Sequence, residues 1–137
     1  MPTTVDASGL RQAVVTRAGF IAQRTAIDIR KELVRAAEPH YQTGEMERAM
    51  KVTHQRLSPT TWRVTAENAT VQAATTSHGA RPHEIRPRKA QALRFVVDGR
   101  VVFAKVVHHP GNKASRWFES VFNPVTIRGI LSRCVGR

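Results

Sequence analysis

The chain has one cysteine, Cys134, which excludes an internal disulfide and a cysteine-built zinc site. No apolar run approaches the roughly 20 residues that would span a bilayer, so no membrane partner is expected. The start, MPTTVDASGL, lacks the basic segment and apolar stretch of a secretory signal. The expected compartment is therefore the cytoplasm of the producing cell. Glycines are isolated, as at Gly79 and Gly99, which leaves no glycine-rich phosphate loop. Aromatics make up 6% of the residues and fall mostly at core-like positions, so base-stacking platforms are not evident. Acidic residues are scarce, ten against 22 Lys and Arg. Half of them (Asp28, Glu32, Glu38, Glu45, Glu47) lie on or just after one helical segment among basic neighbours. That is the pattern of a solvated helix surface. Glu67 and Glu84 stand in dissimilar contexts, and a catalytic carboxylate pair is unsupported.

What is present fits one globular domain over residues 1–137, with 41% hydrophobic and 23% charged residues. The formal net charge of +12 points to nucleic acid, another polyanion or acidic protein neighbours.

Residues 8–38 read as one long helix, capped by Ser8 with Asp6 nearby, and ended by Pro39. Leu10, Val14, Ala18, Ile21, Ile29, Leu33 and Ala37 recur at helical spacing. At 1.5 Å per residue such a helix is roughly 45 Å long. That exceeds what one small sheet can cover, so part of it is expected to pack on another subunit.

Residues 46–57 and 61–71 alternate apolar and polar positions and read as a hairpin around Ser58-Pro59-Thr60. A second hairpin is signalled by Asp98-Gly99 between two apolar runs, since a two-residue type I′ turn needs positive φ at both positions. Its register sets Val97 against Arg100, Phe95 against Val102 and Leu93 against Ala104. One face then carries Leu93, Phe95, Val97, Val102, Ala104 and Val106. The other carries Val96, Val101 and Phe103 with Arg94 and Lys105. A hairpin with two partly apolar faces wants cover on one side and a neighbour on the other.

The expected fold is α+β: a long N-terminal helix on an antiparallel sheet of about four strands, a long basic loop over residues 72–91, and short C-terminal helices. The loop has Gly, Pro and basic residues without an apolar period and is expected to order on a partner. Trp117, Phe118, Val121 and Phe122 then sit at helical spacing. Asn123-Pro124 reads as a cap and first-turn proline for a last helix bearing Ile127, Ile130, Leu131 and Cys134.

Six histidines raise the question of a metal. His108 and His109 are adjacent on a strand and point to opposite faces, and no His-x-x-x-His pair exists. No metal, other cofactor or catalysis is expected, and Cys134 reads as a packed thiol. The basic residues Arg86, Arg88 and Lys89 are candidates to face DNA through phosphate contacts without base reading.

One stretch carries a more specific pattern: Gly79, Pro82, Ile85-Arg86-Pro87, Leu93-Arg94-Phe95, Val102-Phe103-Ala104, Val107, His109-Pro110-Gly111 and Trp117-Phe118. In this order, behind a long helix, it resembles the small neck, or tail-completion, proteins of long-tailed bacteriophages. The specific signal is confined to residues 79–118. Many members have a tyrosine and an acidic residue before the glycine, where this chain has Ala73-Ala74 and Ser77-His78. The chain is also more basic than such a ring around DNA would suggest. The resemblance implies a non-catalytic ring, most commonly of six copies, in the virion neck after assembly in the host cytoplasm. It implies partners on both sides: a head-closure or connector ring, and a tail terminator or tail-tube protein, with genomic DNA passing through the lumen. The candidate subunit or partner contacts are Gly79, Arg81, Pro82, Ile85, Arg86, Pro87, Arg88, Lys89, His109, Pro110 and Gly111. Of these, His109-Pro110-Gly111 reads first as a tight strand exit. The alternatives are a tail terminator ring capping the tail tube and, in another class, a basic nucleic-acid-binding protein.

Overall fold

A computed structural model describes residues 7–41 and 43–136 of the chain. Helix α1 spans Ser8–Ala37 and is followed by a 3-10 turn at Glu38–His40, with Pro39 in its first turn. Its N-cap is Ala7, not Ser8, and it makes no side-chain cap hydrogen bond. The reading of Asp6 lies outside the described residues. The buried positions of α1 are Ala22, Thr25, Ala26, Ile29, Leu33 and Ala37. They form one stripe, and all lie beyond Ile21, so no side chain of residues 8–20 is buried. The stripe's Ile29, Leu33 and Ala37 cluster with Met46, Met50, Ala73, Trp117, Val121, Ile130 and Cys134.

A short helix α2, Glu45–Arg48, precedes strand β1, Lys51–Arg56. Met46 thus belongs to a helical turn and not to the expected strand. The spacing of Met46 and Met50 serves a helix as well as a strand, and burial of both, at 1% and 4% exposure, places them on one side of the turn. Strand β2, Trp62–Glu67, pairs antiparallel with β1. Val64, Ala66 and Val52 turn toward the core.

The segment 72–91 is not one loop. Helix α3 spans Val71–His78, and strand β3 spans His83–Ile85. The Thr70 hydroxyl accepts the Ala73 N–H at 3.1 Å and starts α3. Ala73 and Ser77, four apart, form its buried side. An apolar period was invisible because those buried residues are small.

The remaining strands are β4, Leu93–Val97, β5, Arg100–Ala104, and β6, Val107–His109. Helices α4, Trp117–Ser120, and α5, Pro124–Val135, close the chain. Asn123 caps α5 by accepting the Thr126 N–H at 2.9 Å.

The architecture is α+β. The strands, however, form three separate antiparallel pairs, β1–β2, β3–β6 and β4–β5, not one four-stranded sheet. The physical reason lies in how the last two pairs join. The Ala80–Asn112 bridge, His83 opposite His109 and Ile85 opposite Val107 run in one register. After an offset, Leu93 opposite Ala104 continues to Val97 opposite Arg100. The two pairs are thus consecutive parts of one hairpin arm. Residues 86–92 bulge from one strand where the other needs only residues 105 and 106. Asp98 (φ 48°) and Gly99 (φ 76°) make the tip, as the type I′ expectation required. From Arg100 to Asn112 the returning strand is long enough for an arm on the order of 40 Å.

Candidate assembly interface

The arm is fastened at its base to α3. Ala80 and Asn112 exchange two backbone hydrogen bonds of 2.9 Å. The Asn112 amide donates to the Thr75 carbonyl at 2.8 Å, and the Ser115 hydroxyl to the Thr76 carbonyl at 2.8 Å. The Trp117 indole N–H, from the buried face of α4, donates to the Thr76 hydroxyl at 3.0 Å. The strands therefore leave the body in a direction set by α3 and α4.

Two glycines make this junction possible. Gly79 ends α3 at φ 81°, and a Cβ there would lie 2.8 Å from the Ala114 nitrogen. Gly111 has φ 79°, and a Cβ would overlap the Ala80 carbonyl oxygen. Both positions need the left-handed region and the absence of a side chain. His109 adds a local lock: its Nδ1 accepts the Gly111 N–H at 3.0 Å, and its ring stacks on His83 at 5.0 Å. His83 Nδ1 in turn lies 2.8 Å from the Arg81 carbonyl. The candidate residues Gly79, Arg81, Pro82, His109, Pro110 and Gly111 thus come together at the base. The strand-exit reading of His109-Pro110-Gly111 agrees with this geometry.

Ile85, Arg86, Pro87, Arg88 and Lys89 form a second group, at the bulge. Arg86 does not project freely: it donates to Oε2 of Glu84 at 2.7 and 3.2 Å. That pairing holds the Glu84 carboxyl below its ordinary pKa. Arg88 and Lys89 are exposed and have no ion-pair partner among the described residues.

The outer arm carries five exposed apolar residues. Val96, Val97, Val101, Val102 and Phe103 are all exposed, Phe103 at 66%. None of the arm belongs to the core cluster, and its extensive contacts are between its own paired strands. The expected core face of Leu93, Phe95 and Ala104 is only half buried, while Val97 and Val102 on the same face are exposed. On one face Val96, Val101 and Phe103 are exposed together beside Arg94, and exposed apolar residues grouped in this way are the mark of an interaction site.

The N-terminal part of α1 is uncovered as well. Leu10 and Val14 are 69% and 48% exposed. Arg17 reaches back to the Val135 carbonyl at 2.8 Å and lies over the Phe20 ring.

Sequence reasoning found both uncovered surfaces but missed the fastening of the arm. Its members are Ser77, Thr76, Asn112 and Glu119. The Ser77 hydroxyl donates to Oε2 of Glu119 at 2.8 Å, and His78 Nδ1 lies 3.5 Å from the other oxygen. The hydrogen bond from Ser77 lowers the Glu119 pKa from its ordinary value. Thr70, followed three residues later by Ala73, was the available signal, as the cap of α3. Among the described residues no group of three or more His, Cys, Asp or Glu is placed to hold a metal. No described helix is long and apolar enough to cross a membrane. No family model, curated protein or solved structure matches the chain.

Proposed function

We propose that this chain is a structural subunit of a homo-oligomeric ring in the neck of a long-tailed phage particle, where it joins the head connector to the tail. The observation that carries this reading is the pairing of an uncovered apolar arm with a half-uncovered long helix on one small chain. A domain of this size that leaves two apolar surfaces open completes itself against neighbours. Identical copies do so in a closed circle when the contact is heterologous. The motif resemblance over residues 79–118 supplies the setting and the most common copy number, six. On this reading the base of the arm fixes its direction, and the bulge at Arg88 and Lys89 meets an acidic neighbour or the phosphates of DNA in the lumen.

The test is light scattering with electron microscopy on the purified chain, and detection of the chain in purified particles. Rings of uniform size and a place between portal and tail support the reading. A tail terminator role is distinguished by which neighbour the ring binds, the tail tube alone or also a head-side ring. The exposed cations at the bulge favour one other reading, a basic nucleic-acid-binding protein. A monomer whose DNA affinity falls steeply with salt would establish it instead.

A further inference from the structure

Phe103, Val96 and Val101 share one face of the arm, because Arg94 stands opposite Phe103 and Val96 opposite Val101. They are 66%, 59% and 46% exposed. Phe103 is thus a single aromatic knob with an apolar collar. Elsewhere on the chain, Ala13, Val14, Arg17, Ala18 and Ile21 of α1 line a shallow hollow of about 390 Å³, almost wholly apolar. Ala13 and Ala18 are the small residues of its lining. Among the described residues the arm makes no extensive contact with α1, so it does not fill the hollow of its own chain.

Building on the ring reading, we propose that the arm of one copy seats Phe103 in this α1 hollow of the next copy. A knob and a hole at different places on one chain give a head-to-tail contact, the type that closes into a ring when the rotation allows. The areas agree with this. Val96, Val101 and Phe103 together with Leu10, Val14 and Val135 offer on the order of 600 Å² of apolar surface. With the aliphatic stems of the flanking basic residues, this approaches the roughly 900 Å² that forms the apolar part of a standard interface. An aromatic in a pocket is also the commonest energetic centre of such a contact.

Charge makes the proposal specific. Arg94 stands opposite Phe103 on the arm face, and Arg17 lines the α1 hollow. Two copies of formal net charge +12 meet, so the contact is apolar in spite of its electrostatics. Added salt screens the repulsion and strengthens association. Docking of the basic arm on an acidic surface would show the opposite dependence.

The experiment uses the full chain and two surface variants, Phe103→Asp and Val14→Asp, followed by analytical ultracentrifugation. Leu10→Asp serves as a second helix variant, and unchanged thermal unfolding confirms that each is folded. Each variant alone is expected to be monomeric. Mixed in equal amounts, the intact arm of Val14→Asp meets the intact hollow of Phe103→Asp, giving one-to-one dimers and nothing larger. If both helix variants assemble like the parent, or the mixture stays monomeric, the pairing is wrong although the ring reading stands. If the parent is itself monomeric at every concentration and salt, the ring reading fails and this inference with it.

Discussion

The Ser77 hydroxyl donates a 2.8 Å hydrogen bond to Oε2 of Glu119 and so ties α3 to α4 beside the base of the arm. Ser77 is 2% exposed, and its backbone carbonyl accepts the Arg116 N–H at 2.9 Å. One residue thus holds both the start of α4 and its only acid.

This bond sets a pH dependence. Ser77 lowers the Glu119 pKa below its usual 4.5 in the folded chain. The unfolded chain therefore takes up the proton first as pH falls. The stabilisation is complete above the ordinary carboxylate range and is lost as pH drops through it toward the lowered folded value. Urea unfolding midpoints measured down the acid range should fall more steeply for the parent than for Glu119→Gln. Parallel curves would show that the bond carries no proton linkage.

Two left-handed glycines of the arm, Gly111 and Gly99, differ in the space around them. Gly111→Ala puts a Cβ at φ 79° into the Ala80 carbonyl, while Gly99→Ala at φ 76° meets open space. Left-handed strain alone costs about 1 kcal/mol. The added overlap raises Gly111→Ala to roughly 2–4 kcal/mol, in the range of substitutions that strain a special backbone position. Denaturant unfolding of the two variants checks the difference. Equal losses would mean that the arm base has room that the structure does not show.

Core and arm are expected to respond oppositely to substitution. Leu33 is 0% exposed within the central cluster, so Leu33→Ala should cost about 2–5 kcal/mol. Val96→Thr on the arm should change the stability of the isolated chain by no more than about 0.5 kcal/mol, because no core contact is lost. The same unfolding assay reads both.

Much of this arrangement is visible in the sequence for identifiable reasons. The Asp98-Gly99 turn fixes the register of β4 and β5 down to the Leu93–Ala104 pair, because only one turn type suits two residues of positive φ. Asn123-Pro124 similarly announces α5. Helix α3 was hidden because it buries Ala73 and Ser77, which carry little hydrophobic signal. The single four-stranded sheet failed for a different reason. Alternation within a strand says which residues share a face, but not which edge pairs with which. Here β3 and β6, 26 residues apart at His83 opposite His109, extend the β4–β5 hairpin instead of bridging to β1–β2. The base of the candidate interface is a product of that long-range pairing, so only the glycines and the strand exit foreshadowed it.

Local opening gives an independent view of the arm. With few contacts beyond its own ladder, the β4–β5 pair should exchange its amide hydrogens quickly in the monomeric Val14→Asp variant. It should become protected in the assembled parent, while the amides around Leu33 stay protected in both. Hydrogen–deuterium exchange by mass spectrometry reads each region. An arm equally protected in the monomer would mean that it is covered within its own chain.

The central claim is that identical copies cover one another's open surfaces, and mass measurement by light scattering across a range of concentrations tests it most directly. The account expects one discrete species several times the 15.3 kDa chain, its mass constant over that range and favoured by added salt. A stable 15.3 kDa monomer at every concentration and ionic strength would contradict it.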